Sequence, residues 1–322
     1  MKPFVKGIAW LLAAVVVAGA GFYVWASFAA SRALSRTVET HRIDLPIPFP
    51  LSADELATLE LTAEEGAALA RERALERGRH LVEARYACVE CHGRNFGGGV
   101  MVDDALLGRL LGPNITSGLG GRVADYDPAD WDRIVRHGVL PDGRPAAMPS
   151  DDYERMSDQE LSDIIVFLRS QPAVNNQVPP PSLGPLGKVL MATGQLPLSA
   201  DTMASHDAAH ARYPPETAVS VDFGHHLAGV CTGCHREDLS GGPVAGGDPS
   251  WPPASNLTPD ASGLAGWSYD EFVAAMREGK RPDGTTLREP MTLMEPYAQK
   301  MADVELEALW LYLQSVPPVA QP

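Results

Sequence analysis

The sequence predicts an all-α protein, with an N-terminal transmembrane helix followed by two tandem helical domains of one design. Three observations carry that expectation. Ile8 to Ala30 is a mostly apolar run of 23 residues without a charge. A set of distinctive residues recurs in unchanged order at offsets of 141 to 145 residues. The apolar positions recur at helical spacing, and no segment alternates apolar and polar residues long enough to suggest a sheet. The predicted organisation is an anchor over 1–34, a spacer over 35–63, a first domain over 64–172, a linker over 173–215 and a second domain over 216–322.

Taking the elements in order, a helix over Ile8 to Ala30 covers the ~30 Å hydrocarbon core of a bilayer at about 1.5 Å per residue. Trp10 lies near one end and Tyr23 and Trp25 near the other, the places of interfacial aromatic anchors. A cleaved signal peptide is the rival reading, with Ala18-Gly19-Ala20 as a cleavage site, but the apolar run continues well past it. The spacer holds Pro46, Pro48 and Pro50.

Each repeat then has the same layout. A helix leads into a cysteine pair, over Glu64 to Ala87 in the first copy and Val221 to Val230 in the second. A glycine-rich loop follows, Gly97-Gly98-Gly99 and Gly241-Gly242-Pro243. A middle helix spans Pro128 to Arg136 and Tyr269 to Glu278. The final helix of copy one opens on Ser157-Asp-Gln-Glu160, a capping box, and stops before Pro172. Its counterpart runs from Asp303 to Ser315 and stops before Pro317. Between the copies, Val178-Pro-Pro-Pro181, Gly184-Pro185 and Pro214-Pro215 read as an extended or loosely packed connector, with one helical turn over Lys188 to Ala192.

At 322 residues the chain has room for about two domains, and a net charge of −15 argues against nucleic acid and anionic surfaces as partners. An acidic face could dock a basic protein; solubility is the plainer account of the charge.

The chemistry lies in the four cysteines, which fall in Cys88-Val-Glu-Cys91-His92 and Cys231-Thr-Gly-Cys234-His235. Two cysteines three positions apart on a helical turn present both sulfurs on one face, placed to form thioethers with the two vinyl groups of a haem. The histidine that follows is placed as an axial ligand of the iron. A zinc site of two such pairs needs them about 15–20 residues apart, whereas 139 residues separate these. A thioredoxin-like pair needs a βαβ context that is not visible. The expected cofactors are therefore two covalently bound haem c groups, held by Cys88, Cys91 and His92 and by Cys231, Cys234 and His235. Attachment of this kind is expected on the outer face of an energy-coupling membrane, which places Met1 inside and both domains outside, on the periplasmic side of the inner membrane.

For the sixth ligand, Met148 lies in a proline-stiffened loop before the final helix of copy one, and Met294 holds the nearest place in copy two, with Met291 as the alternative. Met156 and Met301 read as apolar filler, and His80, His206, His210, His225 and His226 as surface or linker residues.

These residues, together with Asn114-Ile-Thr and Asn256-Leu-Thr, Trp267-Ser-Tyr-Asp-Glu-Phe272, the Asp-Gly turns and the Met-x-Asp-x-Glu-Leu helix starts, resemble the membrane-anchored dihaem c-type cytochromes, similar to the cytochrome subunits of periplasmic dehydrogenases. The resemblance covers residues from about 65 to 322. It implies two cytochrome c-like domains that relay electrons from a dehydrogenase donor to an oxidase or cytochrome acceptor, and no catalysis of their own. The alternative is a dihaem enzyme, a peroxidase or a thiosulfate-oxidising cytochrome, which needs one iron with an open site and an acid–base group beside it. A docking subunit with inert haems is a third reading.

Overall fold

The computed structural model describes residues 3–244, 247 and 250–322. Helix α1 (Pro3–Ser35) contains the apolar run. Lys6–Ser35 is the one segment among the described residues long and apolar enough to cross a membrane. Its N-terminal part stands clear of the rest of the chain. Near its C-terminal end Ala26 and Ala30 are buried, because small side chains let another helix approach closely.

Helix α2 (Ala53–Thr58) lies in the spacer, and α3 (Ala63–His80) opens on a capping box in which Thr62 and Glu65 satisfy each other's backbone donors. A π-helical turn, Leu81–Arg85, continues α3 towards α4 (Cys88–His92), which carries the first cysteine pair. Strands β1 (Gly99–Asp104) and β2 (Gly108–Gly112) form an antiparallel hairpin with Gly99 opposite Gly112. Helix α5 (Pro128–Arg136) starts on Asp127 with proline at its first position, and α6 (Asp158–Arg169) starts on the Ser157–Glu160 box.

Strand β3 (Ser182–Leu183) adds to β2, α7 (Pro185–Ala192) packs on the end of α1, and α8 (Ser199–Thr202) completes the connector. The second copy contains α9 (Val221–Leu227), a 3-10 turn over Ala228–Cys231, α10 (Thr232–His235), α11 (Tyr269–Glu278), α12 (Glu295–Ala298) and α13 (Asp303–Ser315).

Two hydrophobic cores result. The first gathers Leu81, Val82, Trp131, Leu161, Ile165 and the spacer's Phe49; the second gathers Phe223, Leu227, Phe272, Leu306, Leu309 and Leu313. In each, the first and last helices cross at a glycine. A Cβ on Gly78 would sit 2.1 Å from the Asp163 carbonyl oxygen, and one on Gly224 would sit 2.0 Å from that of Ala308. The close crossing brings the apolar stripes of the paired helices into contact.

The structure corrects two expectations. The chain is mostly helical but not all-α, since β1, β2 and β3 form a three-stranded sheet. The strands are short, and Val100 and Met101 of β1 are exposed, so main-chain pairing holds the hairpin and leaves no alternating burial to read. In the second copy the corresponding region shows, among the described residues, only the Gly242–Ala254 bridge.

The connector is also not loose. Its prolines exclude long helices, but it is tied down at both ends: Asn114 donates to Val174 and Asn176 carbonyls, the Ala211 and Arg212 carbonyls accept from Asp158 and Gln159 at the start of α6, and the Arg212 side chain stacks on Phe49.

Candidate functional site

Both Cys-x-x-Cys-His segments are short helical turns whose histidine is fixed from behind. His92 donates its Nδ1 proton to the Pro113 carbonyl at 2.9 Å, and His235 donates to that of Ser255 at 2.7 Å. That choice of tautomer leaves each Nε2 lone pair bare, the state an iron ligand requires. Burial lowers both imidazole pKa values, against the pull of these hydrogen bonds. The four cysteines form no disulfide. Burial foremost pushes Cys88 and Cys231 up to about 12 and Cys91 to about 11. Such thiols are poor free nucleophiles and poor metal thiolates. Paired neutral sulfurs beside one bare imidazole nitrogen are a donor set that fits a thioether-bound haem, in both copies.

Met148 and Met294 fall on differently built loops. In copy one the Ala146 amide donates to the Gly138 carbonyl at 2.7 Å, and the Met148 carbonyl accepts from the Ser150 amide and the Ser199 hydroxyl. In copy two the Leu287 amide donates to Gly279 in the same way, but a 3-10 turn over Met291–Met294 then leads directly into α12. Ala146 precedes Tyr153 by seven residues, whereas Leu287 precedes Tyr297 by ten. Counted from the small hairpin these bonds close, bridged at Val139–Pro145 and Lys280–Thr286, or from the tyrosine, the place of Met148 falls nearer Met291 than Met294. Met156 is buried in the first core and Met301 packs against the second.

The two copies meet through reciprocal contacts that sequence reasoning missed. Glu90, inside the first cysteine pair, accepts from the Tyr297 hydroxyl on α12 of the second copy at 2.7 Å. Asp152, in the 3-10 turn Ser150–Tyr153 that follows the Met148 loop, rests on Gly233 inside the second pair, where an added Cβ would lie 2.1 Å from Oδ1. Burial first, then the charge of Asp151, pushes Asp152 up to about 7, and its charge is felt by Cys91, Cys231 and Cys234 alike. Each attachment segment therefore lies against the segment just before the other copy's final helix.

Below them, His80 meets Glu305 at 2.9 Å and His226 meets Glu160 at 2.9 Å, while Arg85 reaches both glutamates at 2.5 and 3.1 Å. For Glu305 burial alone would raise the pKa, but His80 and Arg85 outweigh it and hold the carboxyl down to about 2. Glu160 is lowered in the same way by His226 and Arg85. The sequence signal was present: both glutamates occupy the third position of a final helix, and both histidines stand two residues after the crossing glycine. His80 and His226 are thus interface residues rather than free surface groups. His206 and His210, read as surface or linker residues, are packed against His137.

Residues 73–168 match the family model described as cytochrome C oxidase, cbb3-type, subunit III, and residues 224–317 match the cytochrome c model. The chain is 26% identical over 299 residues to the fructose dehydrogenase cytochrome subunit of Gluconobacter japonicus, covering 84% of this chain and 60% of that protein. It is 26% identical over 258 residues to the cytochrome c subunit of alcohol dehydrogenase (quinone) from Gluconacetobacter polyoxogenes, covering 72% and 54%. A shorter match, 38% over 111 residues, covers 31% of this chain and 24% of the gluconate 2-dehydrogenase cytochrome c subunit of Pantoea cypripedii. The chain therefore spans little more than half the length of the first two relatives. With a cytochrome-type model matching each copy, the chain belongs to the dihaem c-type cytochromes, and its two cytochrome c domains imply two covalently bound haem c groups.

Proposed function

We propose that this protein is a membrane-anchored relay, with α1 spanning the inner membrane once and residues 64–172 and 216–322 forming two haem domains on its periplasmic side. Electrons enter from a dehydrogenase of the kind its relatives serve and leave to a respiratory-chain oxidase or cytochrome. Each haem supplies a one-electron iron couple when bound. The chain's own residues do the rest. Cys88, Cys91 and His92 hold one group and Cys231, Cys234 and His235 the other, with His92 and His235 kept in the ligating tautomer by Pro113 and Ser255. Met148 closes the first site. Met294 closes the second, or Met291, which the hairpin register favours. Methionine ligation favours a higher potential and electron transfer over oxygen chemistry.

The observation that carries this reading is the reciprocal packing of each attachment segment on the segment before the other copy's final helix, Glu90 on Tyr297 and Asp152 on Gly233. It supports direct exchange between the two centres.

Potentiometric titration of the detergent-solubilised chain tests it. Met148→Ala should lower one midpoint by on the order of 100 mV, within the range axial ligands command. Met294→Ala and Met291→Ala should divide, one lowering the other midpoint and one leaving both in place. If Met148→Ala moves neither midpoint, the first ligand assignment fails. Carbon monoxide binding to the reduced wild type would indicate an open iron and favour the enzyme reading.

A further inference from the structure

Behind the Met148 loop, four side chains from three separate segments converge: His41 from the spacer, Asp132 and His137 from α5 and its end, and His210 from the connector. Their donor atoms all lie within 4.8 Å of one another. His137 Nε2 and His210 Nε2 are 3.2 Å apart. Asp132 Oδ2 is 3.6 Å from His137 Nε2 and 3.8 Å from His41 Nε2, and Oδ1 is 4.0 Å from His210 Nε2.

The hydrogen bonds on the far side of each ring decide where the protons are. His41 Nδ1 faces the His206 carbonyl at 3.2 Å and His210 Nδ1 faces the Glu154 carbonyl at 3.0 Å, so both carry their proton on Nδ1. His206 Nε2 faces the Ala200 carbonyl, which leaves its Nδ1 as an acceptor; that atom is 3.1 Å from His137 Nδ1, so His137 also holds its proton there. A carbonyl can only accept. Three Nε2 lone pairs therefore point inward with no proton among them. Asp132 is fully buried, Arg136 occupies its Oδ1, and its Oδ2 has no hydrogen-bond partner. Two bare nitrogens at 3.2 Å and an unpartnered carboxylate oxygen repel one another unless a cation sits between them.

We propose that His41, His137, His210 and Asp132 form a structural binding site for a divalent transition ion of the zinc class, separate from either haem. Three imidazoles and one carboxylate are a closed tetrahedral donor set, and bonds of about 2.0–2.1 Å give edges of roughly 3.3 Å, which the 3.2 Å between His137 and His210 matches and from which the 3.6–4.0 Å distances to Asp132 need a small inward shift. Each ligand histidine has a fixed partner on its outer nitrogen, the arrangement that orients metal ligands. The ion clamps the spacer and the connector onto the end of α5. Gly138 and Ser199 then pass that support to the Met148 loop.

The test is metal analysis of the intact haem-loaded chain in detergent, loaded with equimolar zinc and desalted. About one zinc per chain should remain beside two irons, with a zinc X-ray absorption shell of nitrogen and oxygen near 2.0–2.1 Å. His210→Gln and His41→Gln, each checked for unchanged haem absorption, should weaken zinc retention at least about tenfold. Wild type keeping under about 0.1 zinc per chain overturns the proposal, as does a sulfur-containing shell or equal zinc in the variants. The wild-type measurements decide the matter even where a variant fails to fold.

Discussion

Glu305 offers a sharp test of the face between the domains. Its side chain is 1% exposed. It accepts from the Ala302 amide at the start of α13 and meets His80 and Arg85 across the interface. Its ordinary value is 4.5, and in the folded chain these partners outweigh burial and hold it near 2. A carboxyl depressed in this way stays ionised at acidities where the unfolded chain takes up a proton. Its stabilisation is complete above about pH 4.5 and is lost as the pH falls towards 2. At about 1.36 kcal/mol per pH unit the whole effect is about 3 kcal/mol, an upper end because His80 is 38% exposed and screened by solvent. The perturbation is Glu305→Gln, and the assay is the urea midpoint by far-UV circular dichroism of the detergent-solubilised chain at pH 6 and pH 3. The stability gap between wild type and variant should shrink by roughly 2 kcal/mol from pH 6 to pH 3. A gap that stays constant or widens on acidification refutes the reasoning.

Four further changes probe the scaffold. Alanine is a better helix former than glycine by about 1 kcal/mol, yet Gly78→Ala should destabilise by about 1–3 kcal/mol because its Cβ meets the Asp163 carbonyl at 2.1 Å; a rise in the thermal midpoint would show that the crossing relaxes freely. Asn114 is fully buried, donates to Val174 and Asn176 carbonyls and accepts from the Thr116 amide and hydroxyl. Asn114→Ala should therefore cost about 2–4 kcal/mol in urea unfolding, and Asn256→Ala, which breaks the matching bonds to Val319 and Thr258, should cost a similar amount. Tyr297→Phe removes the hydroxyl that Glu90 accepts from, and should cost about 1–2 kcal/mol with both haems still attached; no change in the urea midpoint would mean this contact does not tie the domains together.

Features set by local rules were legible in the sequence. The Ser157 box marks the helix found at that position, and the middle helices over Pro128–Arg136 and Tyr269–Glu278 stand where the sequence placed them, because capping and helical period are written within a few residues. The two cytochrome c domains were legible because the Cys-x-x-Cys-His spacing is local, and each family model spans one such segment. Long-range facts were not. The β1–β2 hairpin is held by main-chain bonds between exposed strands and so leaves no side-chain pattern. The Asn-x-Thr repeat was visible as a repeat, but its role appears only when Asn114 is seen tying down Val174, 60 residues away. His41, His137, His206 and His210 come from segments that look unrelated along the chain, and only folding brings them together.

The interface also explains an asymmetry between the copies. His80 pairs with Glu305, and His226 with Glu160, so the same two residue types are exchanged crosswise, as at a two-fold interface between identical subunits. Side chains near such an axis face their own equivalents, and a pair of guanidiniums there would occupy the same space with the same charge. The chain places one: Arg85 reaches both glutamates, and the residue at the corresponding distance before the second cysteine pair is Ala228, fully buried. The π-helical turn Leu81–Arg85 belongs to the same adjustment, since ten residues lead from Gly78 to Cys88 and only seven from Gly224 to Cys231. One cation between two buried carboxylates, with a histidine on the outer side of each, satisfies the face that a strictly repeated sequence could not. Because the capping glutamates are the residues so engaged, the start of each final helix is fixed to the opposite domain, and the segment just before it, with Asp152 in one copy and Tyr297 in the other, is held against the other copy's cysteine pair.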